Sequence, residues 1–339
     1  MQFPYYYTPV AGNYSPAERD EMFGMIRNAD TPGNLASYNG VLALAPRPNL
    51  LDNAYFVGGG TGYGVFPVNQ RGQTQYTGSG YGVDRWFSSN SRLSIAMNPA
   101  TGIMSLSASS AGNAFLIQKV AVSAGTHTFS VLVKGSGGAG QLRIDSEDGS
   151  TLIGDAVDFT DLSDSWELFS GTITFDTAQI VRFVIRVNTG KTYDLEAAKL
   201  ERGSIQTLAH QENGAWVLNS VPRYDEELRR CQNRLWLESN VPSNAYVVTS
   251  GVATSATSAI FSLFLPANLA KSSNPTAIFN NIGVYSNTSN ASRNVSALSI
   301  VSIVGNSVGL TATISGATAG ESLRLVVLQG GSIGVSTEV

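Results

Sequence analysis

His127-Thr128-Phe129-Ser130-Val131-Leu132-Val133 and Val181-Arg182-Phe183-Val184-Ile185-Arg186-Val187 are the stretches on which the fold turns. Polar or small residues alternate in them with branched and aromatic ones, the period of two that a half-buried strand requires. Ser94-Ile95-Ala96-Met97 and Gln141-Leu142-Arg143-Ile144 repeat the pattern, with Gly, Asn and Asp turns between. Short strands at this spacing, with no long helix among them, predict an antiparallel sandwich over 49–205, and a jelly roll is the expected version.

Composition points the same way. The 339 residues suffice for two or three domains. Charged residues make up 14% and aromatics 9%, with 35 glycines, a balance poor in surface helix and rich in turns, so the fold class read from it is all-β. The 21 basic and 25 acidic residues leave a net charge of −4 and no dense Lys/Arg block, so nucleic acid is not an expected partner. Cys231 is the single cysteine; with only His127 and His210 beside it, neither an intrachain disulfide nor a zinc site can be assembled. MQFPYYYTPV lacks a basic region followed by an apolar run, so synthesis in a cytoplasm is expected. The uncharged stretches Ser239–Ala270 and Asn294–Gly320 are broken by Ser, Thr, Asn and Gly, which argues against membrane insertion.

On the N-terminal side, residues 1–48 read as a short helical arm. Ser15-Pro16-Ala17-Glu18 is a capping box with proline at the first helical position, and Met22, Phe23, Met25 and Ile26 follow as an apolar stripe. A helix this short needs a partner surface. With the cluster Phe3, Tyr5, Tyr6 and Tyr7, the residues Met22, Phe23 and Ile26 are read as a docking element; a helix folded back on the next domain fits the same residues.

On the C-terminal side, 206–239 reads as a linker with a helix: Tyr224, Leu228, Cys231 and Leu235 fall on one helical face, acidic residues leading and basic ones trailing. From Asn240 to Val339 only Lys271, Arg293, Glu321, Arg324 and Glu338 are charged. Strands such as Ala259–Leu265, Ala297–Val304 and Leu323–Leu328 predict a second β-sandwich over 240–339. A lone surface so poor in charge risks edge-to-edge association, so burial between copies of the chain is expected.

Three blocks near the start of the predicted sandwich, Asn49-Leu50-Leu51-Asp52-Asn53-Ala54-Tyr55-Phe56, Phe66-Pro67-Val68-Asn69-Gln70-Arg71-Gly72 and Tyr81-Gly82-Val83-Asp84-Arg85-Trp86, carry a resemblance, as do Ala197-Ala198-Lys199-Leu200-Glu201-Arg202-Gly203-Ser204 and the helix from Tyr224 to Trp236. The region they bracket resembles the carbohydrate-binding-module-like domain of phage and prophage tail proteins, with the helix and β tip that follow it. The resemblance implies a tail-fibre or tail-tip subunit in the virion, commonly a homotrimer, whose partners are other virion tail proteins and a host cell-surface glycan or protein. It implies no catalysis and no cofactor beyond a structural calcium, for which Asp52, Asp194 and Glu196 are candidates by analogy. No collagen-like, coiled-coil or β-helical shaft is present, so a compact spike or an adaptor fits better than a long fibre.

Two distant histidines and one cysteine give little material for a nucleophilic triad. The acidic ladder Asp155, Asp158, Asp161, Asp164 and Glu167 has the wrong spacing for a calcium loop and reads as solvated loop acids. Val57–Gly64 has no Gly-Lys-Ser/Thr after it and reads as a flexible loop, not a phosphate cradle. Sugar recognition needs an aromatic face and placed polar groups. Tyr76, Tyr81 and Arg85 are candidates in the sandwich, with Trp86 assigned to the core; Asn280, Asn281, Tyr285, Asn287, Asn290 and Arg293 are candidates in the tip, read as one polar loop set. The expected function is host attachment by a non-enzymatic phage tail protein; a purely structural adaptor and a glycan depolymerase are the alternatives.

Overall fold

β7 (Gly125–Gly135), buried on both faces from His127 to Val133, lies within the first of two β layers, in a computed structural model that describes residues 47–57, 66–98, 100–135, 140–160, 162–239, 246–265 and 275–337. The chain divides into two units, Met1–Pro46 and Arg47–Val339. The expected arm, with Phe3, Tyr5, Tyr6, Tyr7, Met22, Phe23 and Ile26, lies outside the described residues, as does Asp161.

The strands in chain order are β1 (Gln75–Thr77), β2 (Gly80–Tyr81), β3 (Phe87–Ser88), β4 (Leu93–Met97), β5 (Met104–Ala108), β6 (Ala114–Val122), β7, β8 (Gly140–Ser146), β9 (Val157–Asp158), β10 (Glu167–Phe175), β11 (Gln179–Val187) and β12 (Thr192–Arg202). They form two six-stranded antiparallel sheets, ordered β1-β4-β5-β12-β7-β10 and β2-β3-β6-β11-β8-β9. Sequence neighbours repeatedly fall in opposite sheets, as a jelly roll demands. Between the sheets lies a core that includes Trp86, Phe56, Phe129, Phe183, Tyr193 and Leu106, each contributing roughly 1.5–3 kcal/mol by its burial. Trp86 is fully buried and its indole N–H donates to Asn53 O at 2.7 Å, which fixes it as core.

Residues after the sandwich do not form a free linker. β13 (Ala209–Glu212) and β14 (Ala215–Leu218) pair as a hairpin, and Leu208 and Ala209 join Tyr55, Phe66, Leu132 and Ala197 in a second cluster that covers half of the outer face of the first sheet. Helix α1 (Tyr224–Gln232) follows. It ends three residues before Leu235, so the expected single face from Tyr224 to Leu235 is cut short: Leu235 opens β15 (Leu235–Ser239), the first strand of the C-terminal sheet, ahead of the expected boundary at 240.

That sheet also holds β16 (Tyr246–Ser255), β17 (Ser258–Phe264), β18 (Thr276–Ser286), β19 (Ser292–Asn294), β20 (Ala297–Val304), β21 (Ser307–Thr313) and β22 (Ser322–Ser336). The eight strands are one continuous antiparallel ladder, β19-β18-β22-β16-β17-β21-β20, with β15 on the second half of β22. Bulges in β16 and β20 and an irregular stretch of β22 opposite 280–282 bend it, and β18 comes back against β20 from the far side. The second layer of this domain therefore comes from a single sheet curled over its own core of Phe261, Leu263, Val308, Leu310, Leu325 and Ile333.

A buried polar network fastens α1 to the start of the sandwich. Glu227 accepts the backbone N–H of Asn53 and pairs with Arg230 at 3.2 Å; Arg230 also meets Asp52 at 2.6 Å and donates to the carbonyls of Asn49 and Leu51. Burial pushes the Glu227 carboxyl above the ordinary glutamate value, with Arg230 opposing. Gln70 extends the tie towards the C-terminal sheet by donating to both Asp84 and Leu235 O.

Candidate functional site

The open half of the first sheet's outer face offers the groups that recognition requires. Leu93, Ile95, Met104, Leu106, Tyr193, Leu195, Val131 and Val133 point into the core, so Ser94, Ala96, Ser105, Ser107, Thr192, Asp194 and Lys134 point outwards. Pairing registers place Gln75, Ala96, Ser105, Asp194 and Lys134 in one row across five strands. A second row holds Thr77, Ser94, Ser107 and Thr192, the last two hydroxyls 2.9 Å apart.

Trp166 closes the first row. It stands just before β10, half-buried at the border between the covered and open halves of the face, and Lys134 Nζ lies 4.8 Å from its ring centroid. Asp194 ties the row together, accepting from Ser105 Oγ and meeting Lys134 Nζ at 3.8 Å. Glu196 sits at the bulge beside it; burial raises its pKa, Lys134 opposes, and one carboxyl oxygen is buried without a hydrogen-bond partner. An indole next to a row of amide, hydroxyl, carboxylate and ammonium groups suits a polyhydroxylated chain, with apolar contact from one group and hydrogen bonds from the rest.

The residues singled out in the sequence have different fates. Arg85 is no surface group: it is buried, with Nε 3.1 Å from Asp52 Oδ2, because the adjacent core Trp86 draws the segment inward. Tyr76 packs its ring on the core and donates its hydroxyl to Asn69 at 2.6 Å; burial pushes its pKa up to about 12. Tyr81 packs edge-on to Phe87 and under the guanidinium of Arg71. None of the three is in the Trp166 row.

The tip candidates are not one loop. Asn280, Asn281 and Tyr285 lie within β18, Arg293 within β19, and only Asn287 and Asn290 in the turn between. Asn281 donates to Gln329 O, Asn287 to Ser322 Oγ, Asn290 accepts from Arg324, and Arg293 pairs with Glu321 at 3.0 Å. These side chains hold a bulge and a hairpin in place.

Asp52, Asp194 and Glu196 do not gather, and among the described residues no group of three or more His, Cys, Asp and Glu is arranged to hold a metal. Asp52 is instead matched by Arg85 and Arg230, and Asp194 by Lys134. Of the acidic ladder, Asp158 accepts from Gln141, Glu167 accepts from Ser163, and Asp155 and Asp164 are exposed. His127 is buried edge-on to Phe175. Among the described residues no helix is long and apolar enough to cross a membrane.

Trp166 and Lys134 went unselected in the sequence. The available signal was Ser163-Asp164-Ser165-Trp166-Glu167-Leu168-Phe169, a polar turn running into an alternating strand with an indole at its start. That Lys134 and Asp194 stand beside it follows only from strand order.

No protein-family model matches the chain, and no curated protein matches it. Among solved structures, a carbohydrate-binding module described as CBM4 is similar at 14% identity, covering 46% of this chain and 99% of that one, with a TM-score of 0.29. The CBM22-1 xylan-binding domain of Paenibacillus barcinonensis Xyn10C is similar at 12% identity over 47% and 97%, TM-score 0.28. The enzymatically active domain of tailspike protein 4 of Bacteriophage CBA120 is similar at 10% identity over 45% of this chain and 21% of that one, TM-score 0.29.

Proposed function

We propose that this chain is a non-catalytic, glycan-binding attachment protein of a phage tail, working as an oligomer, with the open half of the first sheet as its sugar-binding face. The observation that carries the reading is the Trp166 ring at the end of the row Lys134, Asp194, Ser105, Gln75. The phage setting, the trimer as the oligomer and assembly in the virion after synthesis in the bacterial cytoplasm are supported by the sequence resemblance of 49–56, 197–204 and 224–236.

Self-association is supported by the outer face of β16, β17, β21 and β20. None of these strands contains an ionic residue, and Phe264, Val304 and Val301 are 76%, 75% and 63% exposed, with Val252 and Ile260 on the same face. A second copy offers an equally uncharged surface, so neither partner strands a charge on contact. Several copies on one particle would turn weak sugar contacts into useful avidity.

Retention of the full chain on immobilised host surface polysaccharide tests the reading. Wild type is expected to be held and Trp166→Ala to be released early while still folded by circular dichroism, with some loss of thermal stability because Trp166 also packs on the second cluster. Equal retention of the two would remove the site, absence of wild-type retention would favour the structural adaptor, and release of new reducing ends would favour the depolymerase.

A further inference from the structure

We propose that a second site, a cleft at the end of the sandwich between Arg47 and Arg202, binds an acidic sugar residue by its carboxylate. The cleft has a volume of about 640 Å³ and is lined by Arg47, Pro48, Leu50, Thr126 and Arg202, with Gly125 and Gly203 at its edge. Among the described residues no carboxylate lines it.

The framework is rigid at the points that matter. Gly203 N donates to Thr126 O at 2.7 Å, joining the end of β12 to the start of β7. Arg47 Nη1 donates to Arg202 O at 3.0 Å and Ile205 O at 3.4 Å, which pins that guanidinium to the wall while Arg202 is exposed. Gly203 has a φ of +116°, and a side chain there would strike the Arg47 guanidinium.

What sets this cleft apart is that two guanidinium groups without a carboxylate partner among the described residues line it together. Arg71, Arg85, Arg143, Arg223, Arg230 and Arg293 each face a carboxylate within 3.2 Å. Arg47 and Arg202 have no such partner among the described residues. The nearest acid in sequence, Glu201, points to the opposite side of β12, fully buried against Lys199 at 3.3 Å and hydrogen-bonded to Thr207. Two unmatched guanidinium forks in one cleft, in a protein with net charge −4, form a seat for an oxyanion. Pro48 and Leu50 add an apolar wall that fits a sugar ring and has no use for a bare inorganic anion.

The proposal deepens the glycan reading but uses a surface other than the Trp166 row, so the two can fail separately. Isothermal titration of the full chain would use trigalacturonate, neutral galactotriose and inorganic phosphate. Arg202→Gln is expected to weaken trigalacturonate at least about ten-fold, as loss of a charge-assisted contact does, with galactotriose binding and the melting temperature unchanged. Arg202→Lys should recover part of the loss, and Trp166→Ala should leave the Arg202-dependent part in place. Unchanged trigalacturonate affinity in Arg202→Gln overturns the proposal, as does phosphate binding as tightly as trigalacturonate or no trigalacturonate binding by wild type. None of those results touches retention on host polysaccharide through Trp166.

Discussion

The Glu227 carboxylate accepts the backbone N–H of Asn53, 174 positions earlier in the chain. One side chain thereby fixes the helix that leads into the C-terminal sheet against the loop that opens the sandwich, and it does so from a fully buried position. Such a contact is valuable only while both partners are satisfied, since an unpaired buried N–H costs about 1–3 kcal/mol.

Glu227→Leu is therefore expected to destabilise the protein by about 1–3 kcal/mol in urea unfolding, and Glu227→Gln, which keeps the acceptor oxygen, by less. The pH dependence has a definite sign. With its pKa raised by burial, the folded state takes up this proton before the unfolded chain does, so the Glu227 contribution to stability falls as pH rises from 4.5 through the raised value. Urea midpoints measured across that window should show a shallower decline in Glu227→Gln than in wild type.

Lys199 and Glu201 form a second buried pair, both side chains inaccessible to solvent. Burial depresses the Lys199 pKa, with Glu201 opposing. Lys199→Met leaves Glu201 charged and uncompensated and should cost roughly 3–5 kcal/mol, whereas Lys199→Met with Glu201→Leu should recover most of it. Chemical denaturation of the two variants checks this; equal losses would mean the pair is not coupled.

Trp166→Ala should weaken binding to the recognised polysaccharide about ten-fold or more, and Trp166→Phe by less, because a smaller ring keeps part of the apolar contact. Lys134→Met should weaken it as well while leaving the Trp166 ring in place. Affinity electrophoresis through a polysaccharide gel measures all three.

Phe264→Asp with Val304→Asp should abolish the proposed self-association without unfolding the chain, since both side chains are mostly exposed. Sedimentation velocity reads the mass directly. A wild-type monomer, or an unchanged oligomer in the variant, would remove this face from the assembly.

Legibility in the sequence followed the range of the interaction. The alternation in 127–133 and 181–187 was readable because each strand advertises its own buried face, and Trp86 could be placed in the core because a side chain that large and apolar is mostly buried wherever it falls. Arg85 misled because nothing local reveals that Asp52 waits 3.1 Å away. Asn281 misled for a related reason: a polar run reads as a loop, yet Asn280, Asn281 and Tyr285 lie within a strand, and the Asn281 amide is used on Gln329 O of the neighbouring β22.

By itself the sequence determined the all-β class, the antiparallel sandwich, the presence of the Tyr224 helix and the poverty of charge after Asn240, because each depends on residue period or composition within a short window. Only the tertiary structure decided where that helix stops, that the C-terminal domain is one curled sheet, and which polar side chains remain open to a ligand. Those outcomes depend on strand order and cross-strand register, which bring Trp166, Lys134, Asp194 and Gln75 into one row from four separate parts of the chain.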